Sequence, residues 1–113
     1  MTSNRELDLG AFRTAPENKI FSGRPRGEEV RRKANVDSLE KLDDVCIAVK
    51  IPEDTFTLNL SFFLGLFAQT VAEKGKTWFE RHYSFTGPKV QLDKLPYYVE
   101  QAEKDAIPLP KAR

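Results

Sequence analysis

Residues 45–74 read VCIAVKI, then PEDTFTLN, then LSFFLGLFAQTVAEK, and this stretch decides the fold. Val45 to Ile51 is a nearly continuous apolar, β-branched run, the pattern of a strand covered on both faces of its sheet. Pro52-Glu53-Asp54 turns the chain, and Phe56 to Leu60 reads as a short strand or an extended lead-in. Ser61 is a good N-cap for the helix that follows. Phe63, Phe67 and Val71 form one line along that helix, and Leu64, Ala68 and Val71 another, so its apolar face is broad. Lys74 and Gly75 end it with a basic last turn and a residue suited to left-handed backbone.

Towards the N-terminus, Leu7 to Phe12 alternates and reads as a short edge strand. Residues 13–26 carry Pro16, Asn18, Gly23 and Pro25 and read as loop, with a brief strand at Lys19-Ile20-Phe21. Gly27 to Ala34 reads as a helix begun by Ser22 or Gly27, with Glu28 and Glu29 at its positive end and Arg31, Arg32 and Lys33 at its negative end. Asn35 ends it, and Asp37 caps a second turn through Leu39 and Leu42. Towards the C-terminus, Thr77 to Arg81 is ambiguous and His82 to Thr86 alternates as a strand. Gly87-Pro88 turns, and Asp93 caps a last helix with Leu95, Tyr98, Val99 and Ala102 on one face. Pro96 is tolerated there because it falls in the first turn. Residues 105–113, with Pro108 and Pro110, are expected to be a tail beyond a core of 6–104.

The 113 residues make one domain. The net charge of +1 gives no overall field towards nucleic acid or membrane. No run approaches the roughly 18 apolar residues of a membrane span, and the first residues lack an apolar signal core, so a cytoplasmic location is expected. The single cysteine, Cys46, excludes an internal disulfide and reads as a small buried hydrophobe. Alternation of strands and helices predicts an α/β domain: a small mixed or parallel sheet of about four strands with helices mainly on one face.

The residues that could carry chemistry are few. His82, the only histidine, shares a strand face with Ser84 and has no orienting acid nearby, which gives a thin hint of an enzyme site. One His, one Cys and scattered carboxylates give no metal-ligand spacing, and no phosphate loop is present, so neither metal nor cofactor is expected. Asp43-Asp44 and Glu53-Asp54 read as solvated turn residues. Trp78, Phe79, Tyr83 and Phe85 with Lys76 and Arg81 offer either an aromatic and basic platform for single-stranded nucleic acid or core packing with snorkelling cations. The basic cluster Arg24, Arg26, Arg31, Arg32 and Lys33 offers either an anionic-ligand patch or a solvated helix face. Tyr97 lies beside the buried line of Tyr98 and, if exposed, suits a protein interface.

Two segments also carry a family likeness. Phe21-Ser22-Gly23-Arg24-Pro25-Arg26-Gly27-Glu28-Glu29-Val30-Arg31 resembles the Ser-Gly-Glu-x-x-Arg helix opening of STAS-like domains. Leu60-Ser61-Phe62-Phe63-Leu64-Gly65-Leu66-Phe67 is similar to that family's strand-to-helix junction. The resemblance covers roughly residues 6–104. It implies a bacterial regulatory fold related to the anti-sigma-factor antagonists, which dock onto a protein partner, often an ATP-binding kinase of the anti-sigma type. In the antagonists the first serine of Asp-Ser-Ser-Gly at the junction is phosphorylated, and the added charge breaks the complex. Here Leu60 stands at that acceptor position, and Ser61 matches the second serine.

These readings converge on a non-enzymatic interaction module. Its expected partner-binding residues are Asn59, Leu60, Ser61 and Phe62 at the junction with Arg24, Arg26 and Arg31 beside it. Ser61 reads either as a simple helix cap or as a phosphorylation site whose phosphate the helix N-terminus would hold, and a homodimer through an exposed edge strand is open. A small nucleic-acid or anionic-ligand binder and a small enzyme subunit using His82 and Ser84 are the alternatives.

Overall fold

The computed structural model describes residues 3–42 and 44–105. Five strands and six helices follow one another: β1 (Ser3–Asp8), β2 (Ile20–Phe21), α1 (Arg24–Lys33), α2 (Val36–Glu40), β3 (Val45–Lys50), β4 (Thr57–Leu58), α3 (Leu60–Lys74), α4 (Lys76–His82), β5 (Tyr83–Thr86), α5 (Lys89–Leu92) and α6 (Leu95–Asp105). A 3-10 turn at Leu9–Phe12 follows β1, so only the first part of the expected edge strand is extended. The strands form two sheets rather than one of about four: a parallel trio in the order β1-β3-β5 and a parallel ribbon of β2 and β4. The residues expected as a tail lie outside the described part from 106 onward, and Asp105 is still helical.

The chain crosses the main sheet in one direction, β1 to β3 to β5. Crossovers of constant hand therefore place their helices on one side. Burial along β3 records this: Val45, Ile47 and Val49 are buried, Cys46 is partly exposed, and Ala48 and Lys50 are exposed. The expectation of two covered faces fails because Cys46 and Ala48 are small and apolar enough to hide a period of two. On the same open face, register sets Ala48 between Glu6 and Ser84, and Lys50 between Asp8 and Thr86.

On the covered face the core is aromatic. Phe67 packs against Phe63, Phe79 and Tyr83 with centroids 5.2, 5.1 and 5.0 Å away, and Phe63 meets Tyr98 at 5.5 Å. Over it, α3 is crossed by α1 at a glycine pair. A Cβ on Gly27 would strike the Phe62 carbonyl oxygen and lie 2.8 Å from the Leu66 nitrogen. A Cβ on Gly65 would strike the Arg24 carbonyl oxygen and lie 2.9 Å from the Glu28 nitrogen. The two backbones touch, so neither position has room for a side chain.

Several boundaries differ from the sequence reading for local reasons. Helix α1 starts at Arg24, because Gly23 takes φ 91° and Pro25 suits a first turn. Asn35 ends it in the left-handed region at φ 55°. The α3 cap is Asn59 and not Ser61: Asn59 Oδ1 accepts from the Phe62 N–H at 3.0 Å. The ambiguous stretch before β5 is helix α4 and takes in His82. Asp93 caps nothing at the start of α6; it closes α5 and pairs with Lys89 at 2.9 Å. In the ribbon, the buried Gln91 side chain behaves as a strand would. Its Nε2 donates to the Phe56 carbonyl at 2.9 Å, and its Oε1 accepts from the Leu58 N–H at 3.1 Å.

Candidate functional site

The strand-to-helix corner forms where expected, from β4 into α3. Asn59 holds the corner at φ −90° and ψ 170°, and its own N–H reaches back to the Phe21 carbonyl at 3.0 Å. Leu60 is half-buried and Ser61 is exposed in the first turn of α3. Phe62 is 0% exposed and packs on Phe21 at 5.3 Å. It belongs to the core and has nothing to offer a partner, since helical spacing turns it inward beside Phe63 and Leu66.

The arginines named with the corner lie along α1, and the structure commits each of them internally. Arg24 makes two hydrogen bonds to the Asp105 carboxylate, at 2.8 and 3.2 Å. That bond holds the Asp105 carboxyl below the usual carboxylate range and raises the Arg24 guanidinium. Arg26 bonds Glu29 at 2.6 Å and the Phe12 carbonyl. Arg31 is 7% exposed, which overturns its reading as part of a solvated face. Its NH1 donates to the Leu66 carbonyl at 2.8 Å and to Thr70 at 2.7 Å, and its NH2 to Asp37 at 2.7 Å. Glu40, also buried, lies 3.6 Å from Arg31 and accepts from Thr70 and Tyr83. Burial, then the hydrogen bond to Glu40, raises the Tyr83 phenol far above its ordinary value, so it stays protonated and donates. Only Arg32 of these arginines has no ion pair among the described residues.

Between α1 and α3 runs an open groove of about 670 Å³, floored by Leu64, Gly65, Ala68 and Ala72. Its charged lining, Arg24, Arg31 and Arg32 against Glu28, Asp37 and Asp105, sums to zero. An anionic-ligand patch on α1 therefore loses its support. A second hollow of about 250 Å³ continues past Asp37 and Gln69 to Glu40, Lys41, Glu73 and Lys74.

The exposed large apolar side chains of the described residues gather elsewhere. They are Phe56 (75% exposed), Val90 (64%), Tyr97 (56%) and Ile20 (48%). Ile20 and Phe56 belong to the ribbon segments, and Val90 and Tyr97 are chain neighbours of residues that bond it. Ile20 is in β2 and opposite Thr57. The Phe56 N–H donates to the Lys19 carbonyl at 2.7 Å. Val90 precedes Gln91, which bonds Phe56 and Leu58, and Tyr97 precedes Tyr98, whose hydroxyl donates to the Leu58 carbonyl at 3.0 Å. The corner at Asn59–Ser61 continues the same end of the molecule.

The remaining candidates are not assembled into sites. The His82 ring stacks on Trp78 at 4.1 Å, and its Nδ1 lies 2.8 Å from the Trp78 carbonyl oxygen. Ser84 faces out on β5, and no hydrogen bond joins the two, because His82 ends a helix instead of entering the strand. Trp78 also carries Lys74 at 5.2 Å, while Phe79 and Tyr83 are in the core, so the aromatic platform has no free row of rings. Asp54 pairs with Arg13, which lowers its carboxyl, and Asp43 lies outside the described residues. Among the described residues no cluster of His, Cys, Asp and Glu is fit to hold a metal, and no helix is long and apolar enough to cross a membrane.

Sequence reasoning passed over Glu40, Thr70, Gln91 and the Gly27–Gly65 crossing. Two signals were available: glycines inside good helical patterns, and polar residues at core spacing on α3 and α5. No family model, no curated protein and no solved structure matches the chain.

Proposed function

We propose that this chain is a regulatory protein–protein interaction module that docks through the ribbon end: Ile20, Phe56, Val90 and Tyr97, with Asn59, Leu60 and Ser61 at its margin. One observation carries the reading. The exposed large apolar side chains of the described residues are Ile20 and Phe56 on the ribbon segments and Val90 and Tyr97, each next in the chain to a residue that bonds the ribbon, and an exposed apolar patch is the usual mark of an interaction site. The sheet's open face, by contrast, is small and polar, and the α1 cations other than Arg32 are engaged by the chain's own carboxylates. The STAS-like resemblance makes an ATP-binding kinase of the anti-sigma type the first partner to try. In this reading Ser61 is the place where a phosphate would bring charge to the docking corner.

Photo-crosslinking in cells tests it. A benzophenone amino acid at Phe56 or at Val90 is expected to capture the same protein, and one at Ala48 on the open sheet face is not. Leu60→Asp is expected to weaken the capture by placing an unpaired charge at the margin. Capture from Ala48 alone, or equal adducts from all three positions, sinks the assignment of this surface.

A further inference from the structure

We infer that the groove between α1 and α3 is a self-association surface, on which a second copy of this chain lays its own α1 in a twofold dimer. The charges that line the groove carry this. Two of its three cations are closed within the chain: Arg24 pairs with Asp105 at 2.8 Å, and Arg31 with Asp37 at 2.7 Å. One anion and one cation remain, Glu28 and Arg32. Glu28 reaches only Arg24, at 3.9 Å, and Arg32 has no ion pair among the described residues. Both are exposed, and the four-residue spacing puts them on one face of α1.

A lone anion followed by a lone cation calls for a surface that offers the two in reverse order. A free anionic ligand answers Arg32 and is repelled by Glu28, and a free cation meets the opposite conflict. A second copy turned about a twofold axis answers both, because the rotation runs its α1 antiparallel to the first. Glu28 of each copy then faces Arg32 of the other, so one axis forms two ion pairs.

The floor suits the approach. Gly65, Ala68 and Ala72 put little above the α3 backbone, which lets a neighbouring helix come close. The half-buried Leu64 offers apolar surface to the methylene stem of the incoming Arg32.

The exposed sheet edge is the weaker route to a dimer. Strand β1 lies at the edge of the trio, and the Arg5 guanidinium already donates to the Asn4 carbonyl at 2.9 Å. A twofold axis normal to the sheet pairs only side chains that point to the same face. The longest antiparallel registers of Ser3–Asp8 therefore set Arg5 against Arg5 or Glu6 against Glu6, and like charges directly opposite are destabilising. The inference stands apart from docking at the ribbon, since Phe56 and Val90 lie on neither α1 nor α3.

Sedimentation velocity on the full chain over a concentration series decides it. The native chain is expected to show a reversible monomer–dimer equilibrium. Glu28→Arg and Arg32→Glu each set like charges together twice, and each should weaken the dimer at least about tenfold. The double variant Glu28→Arg, Arg32→Glu restores opposite charges across the axis and should recover the association. Arg5→Glu should leave it unchanged. A native chain that stays monomeric throughout, a dimer indifferent to both single changes, or a double variant that associates no better than the singles overturns the inference.

Discussion

At the α1–α3 crossing, strong groups are answered from within the chain: Gly27 and Gly65 meet backbone with backbone, Arg31 has Leu66, Thr70, Asp37 and Glu40, and Arg24 has Asp105. At the β2–β4 ribbon the backbone is answered too, by Gln91 and Tyr98, yet the large apolar side chains around it face solvent. The contrast teaches that a run of charges in the sequence is a poor guide to which groups the fold leaves free. Most cations of the basic segment are held by the chain's own carboxylates, whereas the large side chains left exposed near the ribbon are apolar. On the proposed reading, stability and recognition sit in different places, so substitutions should separate them.

The largest effect is expected at Arg31. Arg31→Met leaves Glu40 buried without its cation and should cost about 3–5 kcal/mol in urea unfolding. A cost under about 1 kcal/mol would place Arg31 on the recognition side and break the comparison. Next comes Gly65→Ala, which drives a methyl into the Arg24 carbonyl and should cost about 3 kcal/mol by separating α1 from α3.

The Arg24–Asp105 pair is partly exposed, so Asp105→Asn should cost no more than about 1 kcal/mol at neutral pH. Its pH dependence has a defined sign. The folded carboxyl is held below its ordinary range, so the contribution is complete above about pH 4–5 and fades as acidification passes through the lowered value. The stability difference between the native chain and Asp105→Asn should therefore be flat from pH 8 to about 5 and shrink below that. The smallest effect on folding is expected for Phe56→Ser, within about 0.5 kcal/mol, because the ring is already largely in water. The same substitution should abolish crosslinking from Val90, and a large loss of stability instead would move Phe56 to the structural side.

Much of the fold was readable because apolar period and glycine or proline punctuation are local signals. The β3 run, the α3 face and the extended-to-helix corner at Asn59 all come from such signals. What stayed hidden is non-local. Nothing near Arg31 in sequence announces Thr70 or Tyr83, and nothing near Phe56 announces Gln91, because these partners meet only after the helices cross. The open side of the sheet was masked by Cys46 and Ala48, whose apolarity mimics burial. The exposure of Tyr97 beside buried Tyr98 follows from helical spacing, but the bond from the Tyr98 hydroxyl to the Leu58 carbonyl is visible only once the ribbon is formed.

Gln91 has a further consequence. A two-stranded parallel ribbon would ordinarily present a bare rim on each flank, and either rim could recruit a foreign backbone and seed uncontrolled polymerisation. By lending its carboxamide to Phe56 and Leu58, Gln91 plugs the β4 flank with a group that cannot propagate. On the other flank the Ile20 N–H already donates to Asn18 Oδ1 at 3.0 Å, so each side of the ribbon carries a side-chain stop against growth.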